Sequence, residues 1–407
     1  MPVPRLSDER GVALPLALMT LVLLSALMLA FAALSRTEPV IAANQRRGSQ
    51  ARALAESGVE YALWALSNPA QPAGLPSPLP QAPAPPFDGR TFLALGPLGG
   101  FTVTVANDPG GDPHRRTISA TGWAPSHHAT DARPRAHRKV TVDVVVVPRL
   151  ASRAPCALCV RGPLAVTGNV AIEGRNRDPD CGEDTKYGTF TRDTTTVTGP
   201  AAISGGAGAT AQHQPGAAFE PLTLSPAALE ALKTMAWRNG TYYGPGFPQG
   251  GTVSDGQASW AGRIVFDASH PVPDGVVFVD TTDGSDVDPS AGGLATLAHA
   301  RLADGAFAGD GIFHGWIVVN GSIEFAAGLH VRGLVYAVDG LAYRAAGAGR
   351  IEGLTVSLNV GETSAASLEA VGGGELTVTF DCGHALAGGL VPAGFLPIPG
   401  TYREESD

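Results

Sequence analysis

Gly315-Trp316-Ile317-Val318-Val319-Asn320-Gly321 is echoed 18 residues on by Gly333-Leu334-Val335-Tyr336-Ala337-Val338-Asp339-Gly340, and Gly353-Leu354-Thr355-Val356-Ser357 follows 20 residues later. Each of the first two units runs a short β-branched strand into an Asn-Gly or Asp-Gly corner, with a second strand behind it at 322–325 or 341–344. Several short strands in a period near 20 residues predict one coil of a parallel β-helix, where inward side chains stack from coil to coil and glycines turn the corners. The segment 162–174, carrying Leu164, Val166, Val170 and Ile172, reads as another coil. Asn169 and Asn320 fall at corners that tolerate left-handed backbone. Between the coils, Ser225 and Pro226 open 225–236 as an N-cap and first helical residue, which predicts a short helix inserted into the β body.

Composition agrees with a mainly β chain. The 407 residues contain 52 Gly and 33 Pro but only 16% charged and 6% aromatic residues, a profile of short strands and turns. Upstream of the repeats, 101–105, 117–122 and 139–147 alternate or are β-branched, with Asp108-Pro109-Gly110-Gly111 at a turn, and predict a small antiparallel unit over 89–149. Before it, 69–86 holds eight prolines and no charge and reads as an extended spacer. The net charge of −9, with no Lys/Arg-rich block, argues against nucleic acid as a partner, because phosphate binding needs a concentrated basic surface.

The N-terminus is of a different kind. Residues 12–34 are an uncharged apolar run of 23 residues, long enough for about 30 Å of hydrocarbon. Beyond it Ala51, Leu54, Ala55, Val59, Ala62, Leu63 and Leu66 recur at helical steps among Arg46, Arg52, Glu56 and Glu60, so the helix runs on, with a kink at Pro39. Arginines flank the span on both sides, and charge alone does not orient it.

Glu9-Arg10-Gly11 before the apolar run, with Ala55-Glu56-Ser57-Gly58-Val59-Glu60 closing the helix, resembles the N-terminus of PilX-type minor pilins and of the K-type pseudopilins of type II secretion. Later segments resemble the same proteins: Gly174-Arg175-Asn176-Arg177-Asp178-Pro179-Asp180, Gly240-Thr241-Tyr242-Tyr243, and Pro399-Gly400-Thr401-Tyr402-Arg403-Glu404. The resemblance implies cleavage by a prepilin peptidase after Gly11 and methylation of Val12, which makes 1–11 a leader. Its fifth mature position, a glutamate in most major pilins, is Leu16, which moves the resemblance from major subunit to minor or tip subunit.

The organisation implied is leader 1–11, membrane helix 12–34, helix extension 35–68, Pro-rich linker 69–88, antiparallel unit 89–149 and β-helix-like domain 150–407. The implied role is assembly of a type IV pilus or type II secretion filament. The chain would be anchored once in the cytoplasmic membrane, its body displayed outside for adhesion or partner contact, alongside other minor and major pilins or pseudopilins.

No catalytic group, cofactor or metal is assigned from the sequence, and an enzymatic role is not expected. The runner-up is a membrane-tethered polysaccharide-active enzyme, since parallel β-helices also host such activities; Asp267, Asp310 and Arg332 are its best candidates. Two acidic clusters, Asp280, Asp283, Gly284, Asp286, Asp288 and Asn176, Asp178, Asp180, Glu183, Asp184, contain calcium-type oxygens without the spacing of a twelve-residue calcium loop and read as solvated turns. His127, His128 and His137, near Asp131, match no zinc spacing. Cys156, Cys159, Cys181 and Cys382 are disulfide candidates for a body outside the cytosol. Strand residues three apart face opposite sides, so Cys156 and Cys159 are each expected to bond a distant partner, with three connectivities open.

Overall fold

The computed structural model describes residues 13–405 except 70, 77–78, 82, 112–114, 128–134, 148–149, 151–153, 177–185, 207–210, 214–218, 220–221, 247–261, 291–295, 362–365, 387–393 and 399. It is mainly β, with an N-terminal apolar helix, an antiparallel sheet and two parallel sheets.

The helix, Ala13–Ser67, runs 55 residues with Pro39 inside it, about 80 Å at 1.5 Å per residue. Its halves have opposite fates. Leu14–Ala32 has a mean hydropathy of 2.4 and none of it is buried. Ala51, Leu54, Ala55, Val59, Ala62, Leu63, Ala65 and Leu66 are buried, the three- and four-residue spacing of one helix face.

That face rests on an antiparallel sheet ordered Leu93–Ala94, Gly100–Asn107, Arg115–Ala124, Ala136–Val147, Gly394–Pro397, with Arg403–Glu405 also pairing with Ala136–Val147. The three central strands are those expected from alternation. Arg115–Ala124 alternates strictly between half-exposed and buried positions, because one face meets the helix and the other solvent. Val103, Ile118, Ala120, Val140 and Val142 form the buried face under the helix, each larger aliphatic stabilising by about 1.5–3 kcal/mol relative to exposure. Two glycines permit the close seat: a Cβ on Gly58 would stand 2.9 Å from Phe101 and Ala120, and one on Gly122 would stand 2.0 Å from the Ala51 carbonyl oxygen.

Two expectations change here. The Pro-rich stretch does not hold the helix away from the body. Leu75, Leu79 and Phe87 are buried in the helix–sheet core, and the Leu75 amide donates to the Ala65 carbonyl at 2.9 Å. Apolar side chains between the prolines outweigh the stiffness that suggested a spacer. The segment from 150 on is also not one unit, since its last strands, Gly394–Pro397 and Arg403–Glu405, add to the N-terminal sheet.

In the parallel body, from Tyr242–Tyr243 to Glu375–Phe380, the chain alternates strand by strand between two sheets. One is ordered Tyr242–Tyr243, Gly275–Val279, Ile312–Val319, His330–Ala337, Ala348–Ser357, Glu375–Phe380, Val170–Glu173, Ala202–Ser204. Cys156–Val160 continues from Ala348–Ser357 to Tyr187–Thr191 and Ala211–His213. The other is ordered Arg263–Phe266, Ala298–Leu302, Gly321–Phe325, Leu341–Ala345, Ala366–Ala370, Leu164–Thr167, Thr195–Thr198. The pair of strands at 164–173 thus stacks beyond the last repeat, although it precedes the repeats in the chain. One contiguous core runs through the parallel body and under the segments that cover it, including Trp316, Phe325, Tyr336, Tyr343 and Phe380.

The Asn320-Gly321 and Asp339-Gly340 corners fall at the junctions between strands as expected, while a second set of repeat glycines stands within the strands. Gly275, Gly315, Gly333 and Gly353 are register partners in successive strands. A Cβ on Gly333 would sit 1.7 Å from the Gly315 carbonyl oxygen, and one on Gly353 1.9 Å from that of Gly333. The ladder divides the sheet. Before it, Ile312–Val319 and His330–Ala337 alternate in burial; after it every residue is buried. The outer face of the second half is covered: the Leu224 amide donates to the Tyr336 hydroxyl at 2.9 Å, and Trp316 Nε1 donates to the Ala385 carbonyl of the helix Cys382–Ala385 at 2.8 Å.

The inserted helix forms at Pro226–Asn239. Ser225 caps it by accepting from the Ala228 amide at 3.2 Å, and Gly240 ends it in left-handed backbone at φ 72°. Ala227 and Ala231 pack on Val145 of the antiparallel sheet, so the helix also ties the two β units together.

Candidate functional site

The long helix supplies the first candidate surface. Its apolar half presents Leu16, Met19, Leu23, Leu24, Met28 and Phe31 in the open, each more than half exposed. Its other half is fastened by the end of the chain. The Tyr402 hydroxyl donates to Glu56 Oε1 at 3.0 Å, Arg52 pairs with Glu56 at 3.0 Å and Glu404 at 3.6 Å, and the Phe395 amide donates to Ser67 Oγ at 3.0 Å. An open groove of about 790 Å³ runs between the helix and this strap, past Ser57, Glu60, Val142, Arg238, Pro397 and Tyr402.

A second site lies where the inserted helix meets the parallel sheet. Asp280, fully buried, follows the strand Gly275–Val279. Its Oδ1 accepts from Asn320 Nδ2 at 3.0 Å and from the Thr281 amide at 2.8 Å. Its Oδ2 accepts from the Tyr242 hydroxyl at 2.8 Å and lies 2.8 Å from Lys233 Nζ. Glu230 Oε2 is 3.8 Å from the same ammonium, which also donates to the Gly284 carbonyl at 3.1 Å. Burial works to lower the Lys233 ammonium, but its bond to Asp280 and the charges of Asp280, Glu230 and Asp286 together outweigh this and raise it. Burial raises the Glu230 carboxyl; burial and then the Asp280 charge push the Tyr242 phenol far above its ordinary range. The sequence read Asp280 as part of a solvated acidic turn, and that reading fails for this residue. The overlooked signal was Lys233, one of three lysines in the chain, four residues after the buried Leu229 on the inserted helix.

A third cluster occupies the outer face of the sheet before the glycine ladder. Glu352 Oε2 meets His330 Nε2 at 3.0 Å and Arg332 Nε at 2.9 Å, and its Oε1 lies 3.5 Å from Arg350. Burial works to raise the Glu352 carboxyl, but the His330 and Arg332 hydrogen bonds and the His330 and Arg350 charges together outweigh it and hold it at about 2.

The three residues drafted for catalysis are engaged separately. Asp267 accepts from the Ser269 and His270 amides, Asp310 from the Ile312 amide, and Arg332 pairs with Glu352. In the acidic stretch Asp283 binds the Ser285 amide and hydroxyl, and Asp288 binds those of Ser290. Among the described residues, no three His, Cys, Asp or Glu are grouped to hold a metal. His127 stacks on Phe92 and His137 on Trp123. His128, Asp131, Asp178, Asp180, Glu183 and Asp184 lie outside the described residues, as do Gly11 and Val12.

Cys156 and Cys159 bond each other, against the expectation of distant partners. In extended chain, residues three apart would hold their Cα atoms about 10 Å apart. Here the Cα–Cα distance is 5.7 Å, within disulfide reach, because the backbone bends within Cys156–Val160. Cys382 is disulfide-bonded as well, and Cys181 lies outside the described residues.

No protein-family model, curated protein or solved structure matches the chain.

Proposed function

We propose that the chain is a pilin-like filament subunit, a minor pilin or pseudopilin of a type IV pilus or type II secretion filament, and that its two parallel sheets form a parallel β-helix displayed outside the cytoplasmic membrane. The observation that carries this reading is the division of one continuous helix: Leu14–Ala32 is apolar and bare, while Ala51, Ala55, Val59 and Ala62 are built into a sheet. A bare apolar rod of this length needs an apolar surround, which lipid provides before assembly and the rods of neighbouring pilins provide afterwards. Anchoring its other half in the body makes rod and body move as one piece, as a filament subunit requires. The uncharged Leu16 suits a tip position, where no carboxylate is needed to meet a neighbour's terminal amine. A prepilin peptidase would act between Gly11 and Val12.

Leu24→Lys tests the reading in the host strain. A lysine at the centre of the span costs about 3 kcal/mol on insertion scales, so the variant should be lost from the sheared-filament fraction and piliation or secretion should fall. Wild-type incorporation of the variant would overturn the reading. The competing enzyme reading is tested on a fragment starting at residue 40, which retains the helix turns that cover the sheet. Turnover of a polysaccharide that disappears in Asp267→Asn or Asp310→Asn, with the fold retained, would replace the filament reading.

A further inference from the structure

We propose that Lys233 and Asp280 condense into an intramolecular isopeptide bond. The two groups are already in contact: Nζ lies 2.8 Å from Oδ2 of a carboxyl that is completely shielded from solvent. Such a pair is held ready for amide formation, since two reactants fixed at contact distance react as one molecule with effective molarities many orders above those in solution. The surroundings sort the two carboxyl oxygens into different roles.

Oδ1 is gripped by two donors, Asn320 Nδ2 at 3.0 Å and the Thr281 amide at 2.8 Å. It is the oxygen on which negative charge collects when nitrogen adds to Cγ, and preorganised donors at this distance stabilise that charge. Oδ2 faces the Tyr242 hydroxyl at 2.8 Å and the ammonium itself. It is the leaving oxygen. Glu230, a half-buried carboxylate raised by burial with its Oε2 3.8 Å from Nζ, is placed to take a proton from the amine through one bridging water and return it to Oδ2.

The balance closes without a co-reactant. The ammonium carries three hydrogens; one remains on the amide nitrogen and two leave with Oδ2 as water. The Nζ–Cγ bond forms, the Cγ–Oδ2 bond breaks, and nothing is oxidised or reduced. Two buried charges become one neutral amide, which removes their desolvation cost. Space around the pair amounts to about 10 Å³, room for at most a single water and for no ligand. The Lys233 side chain is 19% exposed, so its open side gives the released water an exit. The product would clamp the inserted helix to the parallel sheet covalently. It depends on no property of a filament, and its test is independent of the filament reading.

The experiment is mass spectrometry of the full chain purified in detergent and reduced. The wild type should weigh one water less than its processed sequence, and a protease digest should contain one branched peptide joining Lys233 to Asp280. Lys233→Met, which keeps the packing volume and removes the amine, should recover the full mass. Glu230→Gln should slow closure by about a hundredfold, leaving unlinked chains at a time when the wild type is complete. A folded wild type of full mass, with Lys233 and Asp280 on separate peptides, would overturn the proposal. Closure of Glu230→Gln at the wild-type rate would overturn the role given to Glu230.

Discussion

Gly122, in the middle strand of the antiparallel sheet, touches the long helix at Ala51 so closely that an added Cβ would stand 2.0 Å from the Ala51 carbonyl oxygen and 2.4 Å from the Ala55 amide nitrogen. The contact is backbone on both sides, so no side-chain rotation relieves it. Gly122→Ala should therefore lift the helix off the sheet and cost about 1–3 kcal/mol. Thermal unfolding of the fragment beginning at residue 40 measures it; an unchanged midpoint would mean the seat is looser than described.

The glycine ladder makes a comparable demand in the parallel body. Gly333 has no positive φ, so Gly333→Ala isolates the close approach to the Gly315 carbonyl oxygen and should destabilise by about 1–3 kcal/mol. Gly353 has φ 144° in addition. Gly353→Ala should lose more, since left-handed backbone adds about 1–2 kcal/mol for a residue with a Cβ. Chemical denaturation of the two variants side by side checks the order.

Glu352 should give the body an acid-sensitive contribution. Its carboxyl is lowered from 4.5 to about 2 in the fold, so the stabilisation is complete above about pH 5 and is lost as pH falls toward 2. The stability difference between wild type and Glu352→Gln should be largest near neutrality and shrink over that window. A difference that grows on acidification would contradict the role assigned to His330 and Arg332.

The cysteines should all be oxidised. Non-reducing peptide mapping is expected to find Cys156 linked to Cys159, and Cys382 linked to Cys181, the one cysteine left once the first pair is closed. Reactive thiols in unreduced, denatured protein, or a cross-link from Cys156 to Cys382, would refute this arrangement.

Several elements were legible in the sequence because their causes are local. An uncharged run implies a bare apolar helix, alternation at 117–122 implies a half-buried strand, Ser225-Pro226 implies a capped helix start, and a repeat near 20 residues implies stacked parallel strands. The corners at Asn320-Gly321 and Asp339-Gly340 were legible, but the glycine ladder Gly315, Gly333 and Gly353 inside the strands was not. Asn169 and Asn320 do sit at corners between strands, but neither uses the left-handed backbone that such corners tolerate: among the described residues only Asn359 is a non-glycine with positive φ, and Asn320 uses its side chain to hold Asp280.

Tertiary structure alone decided what each local pattern meets. Every repeat offers the same parallel strand edge, so nothing in the repeat says that Leu164–Thr167 follows Ala366–Ala370, or that Arg403–Glu405 returns to Ala136–Val147. Such pairings are set by the total area buried when distant segments close, a quantity no short window contains. The same holds for Lys233 and Asp280, separated by 47 residues and brought to 2.8 Å only when the inserted helix settles on the sheet.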